Sequence, residues 1–184
     1  MKQSSWFVSL LLTMVLVFNT ACSSTKSSRG NVLLPIIETG SSMQKYNLQL
    51  DFMKHHFSGL LIVKRLSGDE IRILASTHFG LSLFDFSLHG EIFRVNSCIE
   101  PMKKEKVLRL LEMDLKNLFL STSNMRIKKK EETSEKRISG KGFAKSVFYL
   151  SANPSTQVKI KHPWIRLTLQ LDPLEASSDS SIQE

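Results

Sequence analysis

Tyr46-Asn47-Leu48-Gln49-Leu50-Asp51-Phe52 decides the fold. Its apolar members take every second position, with Asn47, Gln49 and Asp51 between them. Successive side chains of a strand point to opposite faces, so this segment predicts a strand with one dry face. Such a strand needs partners, and the downstream sequence supplies them. Gly59 to Leu66 is a second apolar run, and Ser67-Gly68-Asp69 makes a turn. Ile71, Ile73 and Ala75 then alternate with Arg72, Leu74 and Ser76. Gly80 punctuates the next turn, Leu81 to Leu88 reads as a fourth strand, and His89-Gly90 leads into a fifth at Glu91 to Val95. Short strands joined by tight turns make an antiparallel meander.

The period then changes. Val107, Leu110, Leu111, Leu115, Leu118 and Phe119 recur at helical spacing, while Lys103, Lys104, Glu105, Lys106, Arg109, Glu112 and Lys116 fill the other side. Pro101 suits the entrance and Ser121-Thr122-Ser123-Asn124 the exit, which predicts an amphipathic helix over 103–120. Arg126 to Arg137 mixes charges, with Lys128-Lys129-Lys130 beside Glu131-Glu132. It reads as a solvated loop or hairpin extension, or alternatively as a basic patch facing a membrane. Strands resume at Ala144–Leu150, Thr156–Lys161 and Ile165–Leu171. The expected fold is therefore α+β: a curved antiparallel sheet, an incomplete β-barrel, covered by one amphipathic helix.

The amino terminus carries an address. Trp6 to Phe18 is apolar but for Ser9 and Thr13, follows Lys2, and ends at Asn19-Thr20-Ala21-Cys22. A basic start, a short apolar run and small residues at the exit describe a secretory signal. The run is shorter than the roughly 20 apolar residues that span a bilayer. Thr20-Ala21-Cys22 resembles a bacterial lipobox, although Asn19 stands where that pattern has an aliphatic residue. The resemblance implies lipidation of Cys22. The expected organisation is a signal peptide at 1–21, a polar tether and lead-in at 22–44, a half-barrel domain at 45–172, and a Ser-rich acidic tail at 173–184. The formal net charge of +8 drops by one to +7 when Lys2 leaves with the signal. An exported basic protein meets anionic phospholipid and other envelope polyanions rather than nucleic acid. With Cys22 acylated, Cys98 is the remaining thiol, and stability rests on the core.

Motifs for catalysis are missing from the sequence. His55 and His56 are adjacent and so face opposite ways on a strand, and His78, His89 and His162 have no partner at ligand spacing. Ser23-x-x-Lys26 matches a serine acylase spacing but falls in the tether. No nucleophile elbow, phosphate loop or dinucleotide fingerprint occurs. Asp85 shares a strand face with Leu81 and Leu83, opposite Phe84, Phe86 and Leu88, and is expected to point outward. The expectation is a protein without catalytic residues, metal or cofactor.

What the pattern does gather is an apolar concavity. Leu48, Leu50, Phe52, Val63, Ile71, Ile73, Phe84 and Phe86 from the first half, with Ile160, Leu167 and Leu169 from the last, point one way. They form either a packed core under the helix or a hollow that takes an acyl chain. Each buried methylene is worth roughly 0.8 kcal/mol, so a dozen carbons give useful gross affinity.

The lipoprotein leader, the tether, Leu33-Leu34-Pro35 and a meander with a later helix together resemble the Lol carrier and receptor family of lipoprotein localisation. The resemblance covers roughly residues 31–171 as a pattern. It implies an incomplete barrel that shelters acyl chains or acylated proteins in transit between bacterial membranes. Ala75-Ser76-Thr77-His78-Phe79-Gly80 before Leu81–Leu88 is similar to the receptor loop in which a protruding Leu precedes a Gly. Phe79 takes that position, which implies contact with bilayer or partner. Ser23 after the lipidated Cys22 implies the periplasmic face of the outer membrane, with envelope transport components as partners. The same pattern also fits an accessory lipoprotein of an envelope assembly whose interior is fully packed.

Overall fold

The computed structural model describes residues 32–152 and 156–174. Lipidation at Cys22, the signal at 1–21, and the tail beyond residue 174 lie outside the described residues. These described residues cluster as one compact unit.

The described residues form ten strands: β1 (Gln44–Phe52), β2 (His55–Arg65), β3 (Glu70–Thr77), β4 (Ser82–His89), β5 (Ile92–Cys98), β6 (Met125–Lys130), β7 (Ser134–Ser139), β8 (Ser146–Ser151), β9 (Gln157–His162) and β10 (Leu167–Pro173). One helix of 15 residues, α1 (Glu105–Phe119), separates β5 from β6. The sheet is a single antiparallel layer in the order β5-β4-β3-β2-β1-β10-β9-β8-β7-β6. It is curved and unclosed, with β5 and β6 as its edges. The predicted α+β class with one covering helix is what forms. β1 and β10 pair at the centre, Leu50 against Leu169, so the first and last strands join the two halves.

The deciding segment behaves as its pattern requires. Tyr46, Leu48, Leu50 and Phe52 are buried while Asn47, Gln49 and Asp51 are exposed. Gly59 on β2 is required by a close approach: a Cβ there would lie 1.9 Å from the carbonyl oxygen of Ser76 on β3. The core joins this face to α1 through Leu61, Val63, Ile73, Phe84, Leu111, Leu115, Leu118 and Phe148.

Three sequence readings are refined. The mixed-charge stretch at 126–137 takes its hairpin alternative, as two paired strands with Arg126 opposite Ile138 and Lys130 opposite Glu135. Eight expected strands thus become ten. On β6 only Met125 is buried, so no alternation marks it in the sequence. Its exposed lysines also discourage another chain from pairing with this edge. In the second, Ala144 and Ile165, expected to begin strands, lie in the turns before β8 and β10. In the third, Leu83 does not share the outward face of Asp85 but is fully buried, because β4 shifts register against β3 at Ala75/Ser76 and against β5 at Asp85/Phe86. Asp85 itself faces outward as expected. Arg72 holds it through two bonds of 3.0 and 2.6 Å, and that guanidinium keeps its carboxyl below the usual range.

The lead-in is also structured. Leu33 and Thr122 exchange backbone bonds of 2.8 and 2.9 Å, and the Ile37 amide donates to the Leu118 carbonyl at 2.9 Å. The segment before β1 is thereby fastened to the C-terminal end of α1.

Candidate functional site

The eleven apolar residues singled out from sequence do converge. Leu48, Leu50, Phe52, Val63, Ile71, Ile73, Phe84, Phe86, Ile160, Leu167 and Leu169 are each 4% exposed or less and belong to one core cluster. Phe84 and Phe86 stack with ring centroids 4.6 Å apart, and Phe93 leans on Phe86 at 5.0 Å. The helix that covers them presents Val107, Leu111, Leu115 and Leu118 inward. The largest surface cleft described, about 350 Å³, lies beside the outer face of α1, between Glu91, Arg109, Glu112, Lys116 and Thr122. None of the eleven residues lines it or the three smaller clefts described.

The underside of α1 is not wholly apolar. Asp114 and Asn117 are both buried there. Asp114 Oδ2 meets His162 Nε2 of β9 at 2.5 Å, and His162 Nδ1 lies 3.4 Å from Ser146 Oγ of β8. Asn117 Nδ2 donates to Ser139 Oγ of β7 at 3.1 Å. The helix is therefore clasped to β7 and β9 by buried side-chain hydrogen bonds, with Ser146 of β8 behind His162, while toward the other half of the sheet its buried contacts are apolar and its one ion pair, Lys116 with Glu91 at 3.7 Å, lies at the surface.

The protonation of this clasp follows from burial. Removal from water pushes the Asp114 carboxyl up, and hydrogen bonding to His162 only partly offsets this. Asp114 Oδ1 has no hydrogen-bond partner among the described residues, and that is less costly for a neutral acid than for a carboxylate.

Ser, His and Asp in a row invite comparison with a hydrolase triad. The roles here are different. Ser146, His162 and Asp114 are at most 2% exposed, and none lines a described cleft. A nucleophile needs a reacting atom within about 3 Å, and this serine faces packed side chains. The group acts as a clasp between helix and sheet. The sequence does hold a signal for it: Asp114 is a carboxylate on the stripe Val107, Leu111, Asp114, Leu118, where only apolar residues are expected. Its partner His162 closes β9 just before Pro163, and nothing in spacing ties the two together.

Phe79 is 99% exposed at the β3–β4 turn. Among the described residues no group of histidines, cysteines and carboxylates is arranged to hold a metal, and no helix is long and apolar enough to cross a membrane. Burial raises the Cys98 thiol, which leaves it a poor nucleophile. In comparison with known proteins, the chain matches no family model and no curated protein.

Proposed function

We propose that this is a non-enzymatic lipid-handling lipoprotein of the bacterial envelope, anchored through Cys22 at the periplasmic face of the outer membrane. In this reading the curved sheet shelters an acyl chain, free or attached to a protein, and α1 is the cover that must lift to admit it. The observation that carries the reading is the seating of α1. One helix covers the apolar face of an unclosed sheet, and its buried side-chain hydrogen bonds to that sheet reach β7 and β9. A cover fastened on one side by a few directional bonds is suited to pivot about them.

A second reading is favoured by the tightness of the core. Eleven side chains at 4% exposure or less describe a filled interior, as expected of an accessory lipoprotein that binds partners through its surface.

Native mass spectrometry of the mature lipoprotein after mild extraction separates the two. The carrier reading expects a co-purifying lipid mass beyond the anchor, and saturable uptake of a fluorescent fatty acyl probe. Protein that is lipid-free apart from its anchor and blind to the probe leaves the accessory reading.

A further inference from the structure

Antiparallel pairing sets four turns side by side along one rim of the sheet, in the order β3–β4, β1–β2, β9–β10 and β7–β8. The register holds the middle two together: Phe52 pairs with both His55 and Leu167, and the Met53 amide donates to the Arg166 carbonyl at 3.1 Å. Large apolar side chains stand in water at each turn. They are Phe79 and Leu81, Met53, Trp164 (66% exposed) and Phe143. The same four turns contain Lys54, Arg166, Lys141 and Lys145 and no carboxylate. Among the described residues no acid pairs with these four cations; nearby Asp51 is taken by His56, and Glu100 by Lys103. The opposite rim is the reverse, with Asp69, Glu91, Glu131 and Glu132 in its turns.

Backbone conformation adds an independent mark. Met53 and Arg166 have φ of 56° and 50°, in the left-handed region that side chains of their kind rarely adopt. Asn or Gly would relieve both turns. Instead the strained positions hold a long apolar and a long basic side chain, and strain of this sort collects at functional surfaces.

The geometry points to this rim as a docking surface for an anionic phospholipid bilayer, extending well beyond the exposed Phe79. Apolar side chains among unpaired cations suit the headgroup boundary, where rings and thioethers enter the acyl region while Lys and Arg meet phosphate. An acidic protein would match the cations but would leave five apolar side chains without a place. Lys106, 5.8 Å from the centre of the Phe143 ring, carries the basic surface from the rim onto the start of α1. Docking here would set the membrane against the end from which the covering helix starts.

Trp164 makes the test direct. The chain has two tryptophans, and Trp6 is in the expected signal. The described residues hold the whole core as one compact unit, so a piece spanning 31–184, without the expected leader and anchor, reports from Trp164 alone. Phosphatidylglycerol-containing vesicles are expected to shift its emission to the blue, with quenching by brominated acyl chains. Neutral phosphatidylcholine vesicles should give at least tenfold weaker partitioning. Reversing Lys54, Lys141 and Arg166 to Glu should weaken anionic partitioning a hundredfold or more, whereas reversing Lys128, Lys129 and Lys130 on β6 should change it less than threefold. No shift with anionic vesicles overturns the assignment, as does an equal loss from the β6 reversals. Binding to a soluble acidic polypeptide without a vesicle response overturns it in favour of a protein partner. None of these outcomes depends on acyl uptake by the interior.

Discussion

Asp114 of helix α1 and His162 of strand β9, 48 residues apart, share a buried hydrogen bond of 2.5 Å. It ties the cover to the sheet at a point where both side chains are shut off from water. Removing one partner strands the other. Asp114→Ala and His162→Ala should each lower unfolding free energy by at least about 1–3 kcal/mol, the cost of a buried polar group left without its partner. The double replacement Asp114→Leu with His162→Phe should recover most of that loss, because apolar groups of similar volume need no partner. Urea denaturation of the three variants measures this, and a double variant as unstable as either alanine would contradict it.

The pair also sets a pH dependence. Burial holds the folded Asp114 carboxyl above its unfolded value, so the folded chain binds this proton more tightly. The group's contribution is then fully present below the ordinary carboxylate pKa of about 3.9 and is lost as pH rises through the folded value. Asp114→Asn removes the titration. The stability of the parent relative to Asp114→Asn should therefore fall as the pH rises above about 4. A relative stability that rises with pH would show that the folded carboxyl is instead held ionised.

Gly59 tests the packing of the sheet itself. A methyl group there meets the backbone of Ser76 and Thr77, which cannot swing aside as a side chain would. Gly59→Ala must part β2 from β3 and should cost upward of about 2 kcal/mol. Gly68, with open space around it, is a less direct test of packing because its φ of 75° adds strain of its own. Thermal melts of Gly59→Ala against the parent read the effect, and an unchanged melt would mean that the strands separate freely.

Which parts of this were legible beforehand follows from periodicity. β1 reads cleanly because one of its faces is dry and the other wet, and α1 reads because its apolar stripe is regular. β6 does not, since both of its faces meet solvent and its lysines give no period. The inward turn of Leu83 was hidden for another reason. A register shift breaks the alternation that assigned it outward. The clasp was hidden because a hydrogen bond between residues 114 and 162 has no local spacing to betray it. The docking rim combines both situations. Phe79 and Trp164 are visible singly in the sequence, but only the strand order puts their turns on one side.

The anchor has its own assay. Cys22→Ser removes the thiol that the lipobox resemblance assigns as acyl acceptor. Metabolic labelling with palmitate should then disappear, and the signal should remain uncleaved or the product unlipidated. Persistent labelling would move the acceptor elsewhere, with Cys98 a poor substitute because burial raises its thiol.

The second clasp distinguishes a cover that opens from one that does not. Asn117 Nδ2 bonds Ser139 Oγ inside the molecule, so Ser139→Ala leaves a buried donor without a partner at a cost of about 1–3 kcal/mol. Much of that cost can be relieved if α1 lifts. Amide hydrogens of α1 should therefore exchange faster in Ser139→Ala than in the parent, by roughly five- to 100-fold. If the interior takes acyl chains through this opening, uptake of a fluorescent fatty acyl probe should quicken in step. Faster exchange with no uptake of the probe would mean that the helix loosens over a core already full, which is the behaviour of the accessory reading. Unchanged exchange would remove α1 as a gate altogether.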